Sequence, residues 1–155
     1  MKLSIISCIL LFTLLTPIWG RVREQKIIKK YHLITLAEVN FYKAVGFCRS
    51  IGMHLVSISS EEESERLTQQ IKIEGLEAND FWTSGSKLAG NGTWEWVGIG
   101  KPVIFTNWST GEPSNPDEQC IIIKGNSGDP NEAQKWNDAS CDQKSHFICE
   151  KYERK

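Results

Sequence analysis

Residues 111–120 read Gly-Glu-Pro-Ser-Asn-Pro-Asp-Glu-Gln-Cys, and residues 136–141 read Trp-Asn-Asp-Ala-Ser-Cys. Both stretches set carboxylates and side-chain amides beside a cysteine. A disulfide between Cys120 and Cys141 would draw the two together. Converging carboxylate and amide oxygens are hard donors, and they suit calcium, which takes about six to eight oxygens. Neither stretch contains a histidine. His32, His54 and His146 are scattered singly without metal-ligand spacing, so they read as ordinary surface or core residues rather than zinc ligands.

Outward from these stretches, residues 98–117 are rich in Gly, Pro and Asn and long for a plain connection, the mark of a functional loop. Short runs with strand composition surround it at Phe81–Gly85, Thr93–Val97, Cys120–Lys124 and Phe147–Lys151. Upstream, Asn40 is placed to cap a helix over 41–51, with Phe41, Ala44, Val45 and Cys48 at helical spacing and Gly52 to end it. Ser60 with Glu63 forms a capping box for a second helix ending near Gly75. Glu61, Glu62 and Glu63 favour the positive end of that helix, so the acidic run is helix chemistry and not a metal site. Tyr31–Val39 and Met53–Ile58 read as strands. The order strand, helix, strand, helix, then several strands about one large loop, describes an α+β domain.

At the N-terminus, Lys2 precedes the apolar run Leu3–Leu15, then Pro17 and Gly20, which reads as a secretory signal peptide over 1–20. Residues 21–30 carry five positive charges and one negative, and read as a basic, solvated segment before a domain over 31–155. Of the five cysteines, Cys8 falls in the leader. Cys48, Cys120, Cys141 and Cys149 remain, enough for two disulfides in three possible pairings. No free thiol is then left as a nucleophile. The 155 residues carry 18 Lys and Arg against 19 Asp and Glu, a formal charge of −1. That balance argues against a nucleic-acid partner.

Taken together, Cys48, Phe81-Trp82, Asn107-Trp108, Gly-Glu-Pro-Ser at 111–114, Glu118-Gln119-Cys120, Trp136-Asn137-Asp138 and Cys149 resemble a short-form C-type lectin domain over essentially all of the chain beyond the leader. Residues 81–85 and 105–108 are especially similar to secreted single-domain lectins of insects. The resemblance implies two helices flanking antiparallel sheets and a long calcium-binding loop. It also implies the pairings Cys48–Cys149 and Cys120–Cys141. It implies one calcium held by Glu112, Ser114, Glu118, Asn137 and Asp138, with Pro113 cis so that its two neighbours face one ion. Two vicinal sugar hydroxyls would then displace calcium-bound water and accept or donate hydrogen bonds to Glu112, Glu118 and Asn137. An auxiliary calcium site is not expected, because its positions hold Lys87, Asn91, Asn115 and Gln119.

The family's Glu-Pro-Asn triplet goes with mannose-type sugars and Gln-Pro-Asp with galactose. Here the triplet is Glu-Pro-Ser. Ser114 is shorter and offers one hydroxyl, so the expectation is mannose-type polarity with weakened or altered affinity. The expected role is secreted glycan recognition, in innate immunity or saliva. The alternative is a protein partner, such as a haemostatic factor, on the same fold. A glycosidase using Glu112 and Glu118 as acid and base is not expected, since both look committed to a cation and would stay ionised. Trp82, Trp94, Trp96 and Trp108 read as packing beneath the loop, with Trp136 orienting Asn137 and Asp138. Asn91 and Asn107 open glycosylation sequons.

Overall fold

Asn40 and Ser60 start the two helices as their side chains dictate. In the computed structural model, which describes residues 27–154 apart from 89, 91, 127 and 130, the Asn40 side chain accepts the Lys43 N–H at 3.1 Å. It opens α1, Phe41–Ser50, which buries Phe41, Ala44 and Cys48 on one face. Ser60 accepts the Glu63 N–H at 3.2 Å and opens α2, Glu61–Ile73. The returning half of the capping box is diverted: Glu63 accepts from Ser59 rather than Ser60. Gly52 and Gly75 sit just past the helix ends at φ +74° and +69°, a conformation that costs glycine nothing. The leader, residues 21–26 and the Asn91 sequon lie outside the described residues.

The strands are β1 Ile27–Val39, β2 His54–Leu55, β3 Phe81–Ser86, β4 Glu95–Trp96, β5 Lys101–Pro102, β6 Cys120–Ile123, β7 Trp136–Ala139 and β8 Ser145–Arg154. They order as β1-β8-β3-β4-β5, with β2 on β8, β6 on β3 and β7 on β6. All pairings are antiparallel except β3 with β8. Cys48–Cys149 ties α1 to β8, with Cα atoms 5.5 Å apart, and Cys120–Cys141 ties the start of β6 to the turn after β7, at 5.3 Å. Both pairings are those the resemblance implies. No helix among the described residues is long and apolar enough to cross a membrane.

β6 shows why a continuous apolar run sits here. All four residues are buried. Ile121 and Ile123 enter one core with Val56, Leu67, Ile71 and Trp136, while Cys120 and Ile122 enter the other with Phe41, Trp82 and Phe147. Period-2 alternation serves two cores at once. Gly85 is required opposite it: a Cβ there would lie 2.7 Å from Ile121 Cγ1.

Residues 27–30, the described part of the basic segment, form strand rather than a solvated tail. β1 begins at Ile27 and pairs with β8 from Ile27↔Arg154 to Ile34↔Phe147. Lys29 is only 9% exposed. Its Nζ lies 2.9 Å from the Ser57 carbonyl, 3.0 Å from Glu63 Oε2 and 3.1 Å from Glu150 Oε2. Glu150 is fully buried and accepts from Ser57 N and Oγ as well. A buried carboxylate needs a counter-charge, and Lys29 supplies it.

Beside this cluster, the Tyr31 hydroxyl is buried without a partner, and burial pushes its pKa up to about 12. An unfolded tyrosine loses its proton near pH 10, so above that pH the unfolded chain binds fewer protons and stability falls as pH rises. The expected loss is about 2 kcal/mol by pH 12. Lys29 acts in the same direction: burial opposes its charge, but Glu150 and Glu63 outweigh that and hold the ammonium above the usual lysine value. Urea midpoints measured across the alkaline range should fall, and Tyr31→Phe should flatten the curve without lowering stability at neutral pH. A Tyr31→Phe curve parallel to that of the unmodified protein would contradict this.

Candidate functional site

Asp138 is the hub where the two sequence stretches meet. It lies on β7 opposite Ile121 of β6 and is fully buried. Its Oδ1 accepts the Ser114 N–H and its Oδ2 the Asn115 N–H, each at 3.2 Å. One carboxylate thus carries the tip of the long loop. The Glu112–Pro113 bond at that tip is cis, as the resemblance implies. Glu112 N donates to Ser109 O at 3.1 Å, Ser109 N to Trp136 O at 2.8 Å, and Trp136 N to Asn107 O at 2.8 Å. These backbone bonds lay the loop along β7.

The loop has a second anchor that sequence reasoning missed. Glu132 accepts from Thr110 N at 3.1 Å and from Thr110 Oγ1 at 2.7 Å. Those hydrogen bonds hold its carboxyl below the usual carboxylate range. Thr110 stands two residues before Glu112, so Glu132 fixes the approach to the tip. Nothing in the local pattern near Glu132 signals this, since the partners are 22 residues apart.

Of the five expected ligands, the structure brings Ser114 and Asp138 into direct contact through the Ser114 backbone. Asn137 and Asp138 are adjacent on β7, and the Asn137 amide donates to the Asp138 carbonyl. Glu112 and Glu118 come close enough for their charges to act. Burial pushes the Glu118 carboxyl up, and the negative charges of Asp138 and Glu112 push it further, against a smaller opposing pull from Lys87. Glu112 Oε2 is buried with no hydrogen-bond partner. Among the described residues, no three His, Cys, Asp or Glu side chains are clustered as a metal site. The donor set is nonetheless of the right chemistry for a hard cation: carboxylates that repel one another, one with an unsatisfied oxygen, beside amide and carbonyl oxygens.

The tryptophans divide by depth. Trp82, Trp96 and Trp136 are buried, and Trp82 Nε1 donates to Val39 O at 3.0 Å. Trp136 meets Trp96, Phe105 and Trp108 edge-on at 5.5, 5.7 and 5.8 Å. This aromatic floor fixes the strand that carries Asn137 and Asp138. Trp94 and Trp108 are half-buried, with ring centroids 5.3 Å apart. Asn107 is engaged on both sides: Oδ1 accepts from Lys135 at 2.7 Å and Nδ2 donates to Ser64 Oγ at 3.3 Å.

A model of the lectin C-type domain matches residues 37–151. Among relatives, perlucin of Haliotis laevigata is 36% identical over 114 residues, 72% of this chain and 70% of that protein. The C-type lectin mosGCTL-7 of Aedes aegypti is 33% identical over 126 residues, 79% and 83% of the two chains. The carbohydrate-recognition domain of mouse scavenger receptor C-type lectin superposes with a TM-score of 0.68 at 32% identity, over 82% of this chain and 90% of that one. A calcium-independent type II antifreeze protein, 23% identical with a TM-score of 0.66 over 79% and 85%, shares the fold alone. By sequence and by architecture, this chain belongs to the C-type lectin domain family.

Proposed function

We propose that the protein is a secreted, calcium-dependent carbohydrate-binding module of mannose-type preference, a binding protein and not an enzyme. The observation that carries this reading is the buried Glu112 Oε2 without a hydrogen-bond partner, on a residue whose charge, with that of Asp138, bears on Glu118. Glu112, Ser114, Glu118, Asn137 and Asp138 would hold one calcium, which when bound supplies a Lewis-acidic point for two vicinal sugar hydroxyls. Glu112 and Glu118 accept hydrogen bonds from those hydroxyls, and the Asn137 amide donates one. Asp138 keeps the loop tip in register through Ser114 and Asn115, and the Trp136 floor holds β7 beneath it. Secretion is supported by the signal-peptide character of residues 1–20 and by two disulfides, which persist in oxidising compartments. Asn91 and Asn107 would be the acceptors for N-glycans; at Asn107 the Ser64 contact competes with attachment.

The test is a glycan array with and without EDTA, on the unmodified protein and on Ser114→Asn. Mannose-type signals should appear only with calcium. The substituted side chain would add an amide oxygen and a donor, and should raise mannose affinity about three- to tenfold, the worth of one added hydrogen bond. Equal or weaker binding by Ser114→Asn would remove Ser114 from the site. A second reading is favoured by Ser114 itself, the departure from both sugar-selective triplets: recognition of a protein partner. Calcium binding without any sugar signal would select that reading.

A further inference from the structure

We propose that Lys87 and the pocket beside Glu118 form a subsite for an acidic group, a carboxylate or a sulfate, on the glycan that binds the cation. The pocket encloses about 370 Å³ and is lined by Lys87, Gly90, Gly92, Pro116 and Gln119. Lys87 is the one charged side chain in that lining. Its Nζ stands 4.8 Å over the Trp94 ring, and among the described residues it makes no ion pair with a carboxylate. The ring holds the ammonium in place and leaves its hydrogens free. The backbone is held as well, with Lys87 N donating to Gln119 O at 3.1 Å. Ser86 pairs with Cys120, so the end of β3 lies against the segment that carries Glu118.

Pro116 and Gln119 flank Asp117-Glu118, so pocket and cation site share one stretch of chain. Lys87 is near enough for Glu118 to feel its charge. Gly90 and Gly92, at φ +77° and +74°, themselves bring no side chain to that wall. A neutral sugar gains no charge-assisted bond between opposite charges from a cation held there. An anion does. Without calcium, Glu112, Glu118 and Asp138 would repel the same anion, so the acidic preference requires the metal.

The inference rests on the calcium-dependent reading, and its test separates the two. Mannobiose, sulfated mannobiose and mannosyl-glucuronic acid are titrated calorimetrically, in calcium, into the unmodified protein, Lys87→Gln and Lys87→Arg. One or both acidic probes should bind about three- to tenfold tighter than mannobiose, and whichever gains identifies the anion. Lys87→Gln should erase the gain and leave mannobiose affinity unchanged. Lys87→Arg, which keeps a cation over Trp94, should preserve the gain. High salt should shrink it. Equal affinity for all three probes in the unmodified protein overturns the subsite while leaving the calcium reading intact, and so does a gain that survives in Lys87→Gln. Acidic probes bound through Lys87 in calcium with no mannobiose binding would sink the mannose-type preference and leave the anion subsite standing. No binding by any probe would sink both.

Discussion

Replacing Asp138 by Asn is expected to weaken calcium binding about 100- to 1,000-fold, the scale on which ligand charge tunes calcium sites. Two contributions add. The first is the lost negative charge, at a fully buried position where water cannot take its place. The second is the loop tip: Asp138 accepts both the Ser114 and Asn115 N–H groups, and an amide side chain has one acceptor oxygen. One loop hydrogen bond is therefore released, that of Ser114 N–H or of Asn115 N–H, and the loop tip is held less firmly against β7. The fold should survive, because β7 keeps its ladder with β6 and the Cys120–Cys141 bridge stays in place. Isothermal titration with calcium reads the first effect directly. Thermal unfolding gives an independent reading: calcium should raise the midpoint of the unmodified protein and leave that of Asp138→Asn almost unmoved. Undiminished calcium affinity in Asp138→Asn would place the cation elsewhere.

What the sequence discloses about this site is the chemistry of its groups. Glu112, Ser114, Glu118, Asn137 and Asp138 stand out as hard donors in two short stretches, and the cis bond at Pro113 follows from the resemblance they carry. What it hides is the mechanical frame. Asp138 serves the loop backbone across 24 residues, and Glu132 serves Thr110 across 22. Neither distance leaves a local pattern. β7 is not legible as a strand because its middle residues are Asn and Asp, which strands disfavour. Only the buried partner β6 makes Trp136–Ala139 extended. β5 is two residues long and contains a proline, so it has no period to read. The helices are legible because their signals are local, a capping side chain and its N–H three residues on. The disulfide pairing is open by cysteine count and settled by topology, which sets β8 beside α1.

Lys29 departs furthest from its sequence reading, and it leads to a second large effect. Charge runs are usually solvated, yet Lys29 neutralises a carboxylate on the strand beside its own. Lys29→Met should destabilise the protein by about 3–5 kcal/mol, because Glu150 is left fully buried without a counter-charge. Most of that loss is the cost of the orphaned charge rather than the worth of the pair. The double variant Lys29→Met, Glu150→Gln should therefore recover most of it, since a glutamine amide can still accept from Ser57 N and bond Ser57 Oγ. Glu63, nearer the surface at 18% side-chain exposure, can turn to water. Burial already pushes the Glu150 carboxyl above its ordinary value, against the pull of Lys29. Without Lys29 it rises further, so the folded state takes up a proton at a pH where the unfolded chain does not. The stability of Lys29→Met should then increase relative to the unmodified protein as pH falls toward the ordinary glutamate value, and its deficit should be greatest at neutral pH. Denaturant unfolding of both single variants and the double, at neutral and mildly acidic pH, completes the cycle. A neutral-pH loss below about 1 kcal/mol for Lys29→Met, the range of an exposed ion pair, would mean that water reaches Glu150.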